Sequence, residues 1–240
     1  MRLKLTFSYD GSAFLGSASQ PHGRGVADAL QGALERLGIF SRPLFASRTD
    51  KGVHALGAVA SADCGEHFAD LFYLQNQLNR FAHPFIHIKR IERVPENFSP
   101  RFSARAREYR YVFHHGTFSP FLARFVCFAP RFDMVRANAL LQDFVGVRDF
   151  KFFQKEGGNS KSSVREIFEA GAYAHRDLSV FKFKANGFLR AQVRLSVGAL
   201  LAVLRGDLSA ENLREQIAAQ KCHHRLLAPA CGLYLRRVIY

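Results

Sequence analysis

Segments of two-residue apolar period alternate along this chain with segments of helical period, and that mixture constrains the fold more than any other feature. Arg2 to Tyr9 puts Leu3, Leu5, Phe7 and Tyr9 on one face, as a half-buried strand does. Ala27, Leu30, Leu34 and Leu37 then recur at helical spacing and end at Gly38. Short extended segments follow at 43–47 and 56–64, a helical stripe runs through Phe68, Leu71, Phe72, Gln75 and Leu78, and 85–91 returns as a strand. From residue 105 the outline recurs. A strand carries Tyr109, Tyr111 and Phe113 on one face, and a helix over 133–145 ends at Gly146. The runs 164–174 and 178–184 form a hairpin around His175-Arg176-Asp177. A helix over 188–204, a Ser209-capped helix to Ala219 and a strand over 233–239 complete the chain. Hairpins mixed with helices predict an α+β fold with a largely antiparallel sheet, in two halves spanning 1–103 and 104–240. The loop 154–163, rich in Gly, Ser and Lys, is predicted to be mobile.

Hydrophobic residues make up 48% and charged residues 22% of the 240, which rules out a disordered, collagen-like or coiled-coil chain. No apolar run approaches the roughly 20 residues of a membrane helix. The first nine residues lack the apolar core of a signal peptide, so the expected location is cytoplasmic. With 34 Lys+Arg against 20 Asp+Glu the net charge is +14, which points to an acidic partner, most often nucleic acid. A solvated basic surface is the plainer reading of the same number.

Cys64, Cys127, Cys222 and Cys231 form no Cys-x-x-Cys pair, and Cys222-His223-His224 with Cys231 fits no common finger. No metal site and no cofactor are expected.

Asp50 stands out chemically. It lies in the polar turn Arg48-Thr49-Asp50-Lys51-Gly52, between two apolar extended segments, with His54 close behind. A carboxylate on a tight turn among cations suits a nucleophile or an anion-pairing group. A turn-forming Asp bonded to its own backbone has the same spacing.

Arg48-Thr49-Asp50-Lys51-Gly52-Val53-His54-Ala55 resembles the signature of the tRNA pseudouridine synthase A family, whose usual form is Gly-Arg-Thr-Asp-Ala-Gly-Val-His-Ala. Four further segments match in order: Tyr9-Asp10-Gly11 with Phe14 and Gly16, the stretch 101–111, Phe188-Leu189 with Val193-Arg194 and Val197-Gly198, and Gly232-Leu233-Tyr234-Leu235. The chain departs from the pattern at Ser47 and Lys51, at Gln192, and in the loop Ser17–Arg24, where Ser17-Ala18 replaces the usual Trp-Gln.

The resemblance implies a pseudouridine synthase fold: two ferredoxin-like halves sharing a mostly antiparallel sheet, with flanking helices and a central basic cleft. It implies isomerisation of uridine to pseudouridine at positions 38 to 40 of the tRNA anticodon stem-loop, without cofactor, by a homodimer. By that resemblance Asp50 is the catalytic aspartate, Tyr109 the tyrosine on the target uracil and Arg194 the arginine paired with Asp50. Arg48 would contact substrate, and Arg105, Arg107 and Arg190 the RNA backbone. Taken without the family, Tyr109 is one member of a buried strand face. Two other readings are an RNA-binding sheet module, which gives the Asp50 turn no role, and a metallohydrolase around Asp50 and His54, which lacks ligands.

Overall fold

The apolar residues of Arg2–Tyr9 are buried at every second position, and this strand, β1, is the axis of the first unit. The computed structural model describes residues 1–157 and 161–240. The loop expected to be mobile, 154–163, includes residues 158–160, which lie outside the described residues. The chain divides into two units, Met1–Arg105 with Tyr234–Tyr240, and Ala106–Leu233.

In the first unit β1 is followed by α1 (Val26–Glu35), β2 (Leu44–Phe45), β3 (His54–Asp63), α2 (Leu71–Ala82) and β4 (Ile86–Val94). β1 pairs antiparallel with β3 and with β4, so that Leu5 lies between Ala60 and Ile91. β2 pairs antiparallel with the far end of β3. The order β4-β1-β3-β2, with a helix in each crossover, is the ferredoxin-like arrangement. Val26, Leu30 and Leu34 of α1 and Leu74, Leu78 and Ala82 of α2 are buried. The α2 stripe differs from the sequence reading. Asp70 caps the helix by accepting the Tyr73 N–H at 2.8 Å, so Phe68 falls before it and Phe72 is 73% exposed. The last strand of the chain (Leu233–Ile239, labelled β10 below) runs parallel to the start of β3, with Tyr234 beside His54 and Leu235 beside Ala55.

The second unit holds β5 (Ala106–His114), β6 (Cys127–Phe128), α3 (Met134–Gln142), β7 (Gly146–Asp149), β8 (Val164–His175), β9 (Leu178–Ala185), α4 (Gln192–Arg205) and α5 (Ala210–Ile217). Its sheet runs β5-β9-β8-β7, antiparallel throughout, with β6 parallel to β5. Phe113, Phe144, Phe150, Phe153, Phe181 and Phe183 are fully buried and form the aromatic part of this unit's core. The helix expected from Phe188 begins at Gln192, because Ala191 takes a left-handed φ of 61° that cannot continue a helix N-terminally. Both units therefore combine helices with a mostly antiparallel sheet. No helix among the described residues is long and apolar enough to cross a membrane.

Candidate active site

The turn carrying Asp50 connects β2 to β3. The Val53 N–H donates to the Asp50 carbonyl at 3.1 Å, and Gly52 closes the turn at φ 77°. Arg48 and Lys51 are exposed and Asp50 is half-buried.

The segment 9–17 straps this turn in place. The Tyr9 hydroxyl is 2.7 Å from Thr49 Oγ1. The Thr49 N–H donates to Ser17 Oγ at 2.7 Å, and the Ser17 N–H donates back to the Thr49 carbonyl at 3.1 Å. Gly11 approaches so closely that a Cβ there would lie 2.0 Å from the Val53 carbonyl oxygen. The Gly11 N–H donates to His54 Nδ1 at 3.0 Å, which makes Nδ1 the acceptor nitrogen of the ring. Asp10 Oδ1 is 3.3 Å from the same nitrogen. His54 is 2% exposed and stacks on Tyr234 of β10, with ring centroids 4.8 Å apart. This histidine anchors the turn in the first unit's core.

In the second unit Tyr109 shares the inward face of β5 with Tyr111 and Phe113, as the period-2 pattern requires. The latter two are wholly buried and Tyr109 is 7% exposed. Its ring meets Phe188 edge to face at 5.1 Å. Phe188 and Leu189 lead into α4, where the Gln192 side chain folds back so that its Oε1 accepts the Leu189 N–H at 2.8 Å. Arg194, half-buried in the first turn of α4, donates through Nε to the Ala228 carbonyl at 2.8 Å, and the Ala228 N–H donates to the Arg194 carbonyl at 3.1 Å. This pair of hydrogen bonds to Ala228 is possible because the segment 226–228 lies close against Gly198, where a Cβ would be 2.1 Å from the Leu226 carbonyl oxygen.

The other arginines differ in setting. Arg107 donates to the Asn186 carbonyl and Arg190 to the Glu156 carbonyl, each at 2.8 Å. Arg105 is exposed, its backbone N–H bonded to the Ile239 carbonyl. Arg110 is ion-paired at 3.0 Å with Glu108, which is fully buried.

The Cys222-His223-His224 segment is held by the buried Gln216. Its Oε1 accepts the His223 and His224 N–H groups, and its Nε2 donates to the His224 carbonyl. Burial pushes the thiols of Cys64, Cys127 and Cys231 up, which makes them poor nucleophiles. Sequence reasoning leaves Tyr9, Ser17 and Ala228 without a role. No local pattern in the sequence marks these long-range bonds.

A family model described as tRNA pseudouridine synthase matches residues 140–240. The chain is 60% identical to the tRNA pseudouridine synthase A of Campylobacter jejuni over 240 residues, all of both chains. It is 40% identical to the protein of that name from Wolinella succinogenes over 232 residues, 97% of this chain and 92% of the relative. It is 38% identical to the one from Helicobacter pylori over 243 residues, 99% and 98% of the two. These matches cover both units, and the chain therefore belongs to the tRNA pseudouridine synthase A family, a family of isomerases.

Proposed function

We propose that this tRNA pseudouridine synthase acts on uridines 38 to 40 of the anticodon stem-loop, with Asp50 as its catalytic carboxylate. The observation that carries the reading is the Asp50 turn itself. A half-buried carboxylate stands in the family signature on a loop whose preceding residue is bonded through both of its backbone polar groups.

The reaction breaks the C1′–N1 bond, turns the uracil and joins C5 to C1′. C5 loses a proton and N1 gains one, so atoms and electrons balance within the substrate. Asp50 serves either by attacking C1′ or by removing a proton from the sugar beside it, and both roles need an ionised carboxylate held close to the ribose. The base must leave the stack to be reached. By the family resemblance Tyr109 is assigned to the target uracil, and its hydroxyl can handle a proton. Arg194 is assigned to Asp50, since a guanidinium fork can meet a carboxylate with two parallel bonds and keep it ionised. Arg48 is assigned to the substrate, and Arg105, Arg107 and Arg190 to phosphates, in keeping with the net charge of +14. The same reading takes the protein to act in the cytoplasm as a homodimer with tRNA as partner.

The test is incubation with anticodon stem-loop RNAs carrying a single uridine at 38, 39 or 40, without added cofactor, followed by nucleoside analysis. Pseudouridine is expected from each. Asp50→Asn should reduce turnover to background while tRNA binding holds, because affinity comes mainly from phosphate contacts. Clear turnover by the Asn variant would remove Asp50 from the reaction.

A further inference from the structure

Thr49 precedes Asp50, and both of its backbone polar groups go to one residue. Its N–H donates to Ser17 Oγ at 2.7 Å and its carbonyl accepts the Ser17 N–H at 3.1 Å. The N–H belongs to the peptide plane before Thr49 and the carbonyl to the plane shared with Asp50. Two bonds to one residue therefore fix both planes, and the second sets the point from which the Asp50 side chain leaves the backbone. Ser17 is itself held. It is 1% exposed, and its carbonyl accepts the N–H of Ala27 in the first turn of α1 at 3.0 Å. A continuous bonded path runs from α1 through Ser17 and Thr49 to Asp50. Ser17 lies in the part of the chain that departs from the usual family pattern.

We propose that Ser17 is a positioning residue for Asp50: its hydroxyl holds the peptide plane before Thr49 and its N–H the plane after it, and the two together fix the backbone from which the carboxylate is aimed at the ribose. This rests on the reading of Asp50 as the catalytic carboxylate. Misplacement of a reacting group by about 1 Å can cost on the order of 100-fold in rate. A role in aiming predicts a loss in turnover with little loss in tRNA binding.

The experiment compares two substitutions that delete the same chemical group. Ser17→Ala removes a hydroxyl that accepts the Thr49 N–H. Ser209→Ala removes one that accepts the Asn212 N–H at 3.0 Å and caps α5. Melting temperature, tRNA dissociation constant and single-turnover rate are measured for both, with Asp50→Asn alongside. Both serine variants should melt a few degrees lower and bind tRNA within about twofold of wild type. Only Ser17→Ala should lose rate, by roughly 10- to 100-fold. If Ser17→Ala does not fold, Ser17→Cys, which keeps the volume and offers a weaker acceptor, carries the same comparison. A wild-type rate for the Ser17 variant beside an inactive Asp50→Asn overturns the inference alone. An equal loss of rate in Ser209→Ala overturns it too, since general loosening would then account for the effect. Turnover by Asp50→Asn removes the catalytic reading and the inference together.

Discussion

Replacing Arg194 by lysine keeps the charge and takes away one donor. In arginine Nε reaches the Ala228 carbonyl at 2.8 Å; in lysine a methylene stands there. Ala228 is buried, so the carbonyl loses its side-chain donor with no access to water. An unsatisfied buried acceptor costs about 1–3 kcal/mol. For a chain of this length each kcal/mol moves the melting temperature by about 2–4 °C, so Arg194→Lys should melt roughly 2–12 °C lower. If the guanidinium fork also orients Asp50, kcat should fall on the order of 10- to 100-fold with KM nearly unchanged. Calorimetry reads the first effect, and steady-state kinetics at two salt concentrations read the second. An arginine that only touched a phosphate would be replaced by lysine with no loss of kcat. Wild-type kcat together with a melting temperature within 1 °C of wild type would refute both halves of the reasoning.

Gly11→Ala would put a methyl 2.0 Å from the Val53 carbonyl oxygen, so the Asp50 turn must move; a loss of about 1–3 kcal/mol and of most turnover is expected in melting and rate assays. Gly32→Ala, in α1 with nothing within 4 Å of the added carbon, should instead raise stability by roughly 0.5–1 kcal/mol. tRNA affinity should fall steeply with salt, with a log–log slope of about −0.7 to −0.9 per phosphate neutralised; a flat profile in filter binding would contradict phosphate contacts. Lys182 and Lys184 hold the Glu169 carboxyl down to about 2. Its contribution is therefore present above the ordinary carboxylate range and fades as pH falls toward 2, and Glu169→Gln should lose less stability than wild type across that interval in acid denaturation. The effect should be modest, because Glu169 is 44% exposed.

Long strands with clean alternation were legible from the sequence: β1 spans Arg2–Tyr9 and β10 spans Leu233–Ile239, as the pattern predicts. α2 was legible as a helix but not in its facing. Phe68, Leu71 and Phe72 compete with Leu74, Leu78 and Ala82 for the inner stripe, and the Asp70 cap decides the phase. β6 and β7 are too short to show a period. The pairing of β10 with β3 joins residues 180 positions apart, which no local pattern encodes. The Asp50 turn was legible as a motif and Arg194 as a charge in an apolar helix. Ser17 looked like a mere departure, because a hydrogen bond that a serine hydroxyl accepts from a distant backbone N–H leaves no periodic trace.

The stacking of His54 on Tyr234 has a consequence for the order of events during synthesis. The ribosome makes the Asp50 turn early and the ring that backs its anchor late. At about 5–20 residues per second, the 180 residues between His54 and Tyr234 take roughly 9–36 s to translate. Through that interval the nascent chain carries Asp50 on a turn whose histidine lacks its stacking partner. The finished geometry around Asp50 is set only once Tyr234 has been added, so a chain released early, even one retaining every catalytic residue assigned above, would lack the support on which the turn rests.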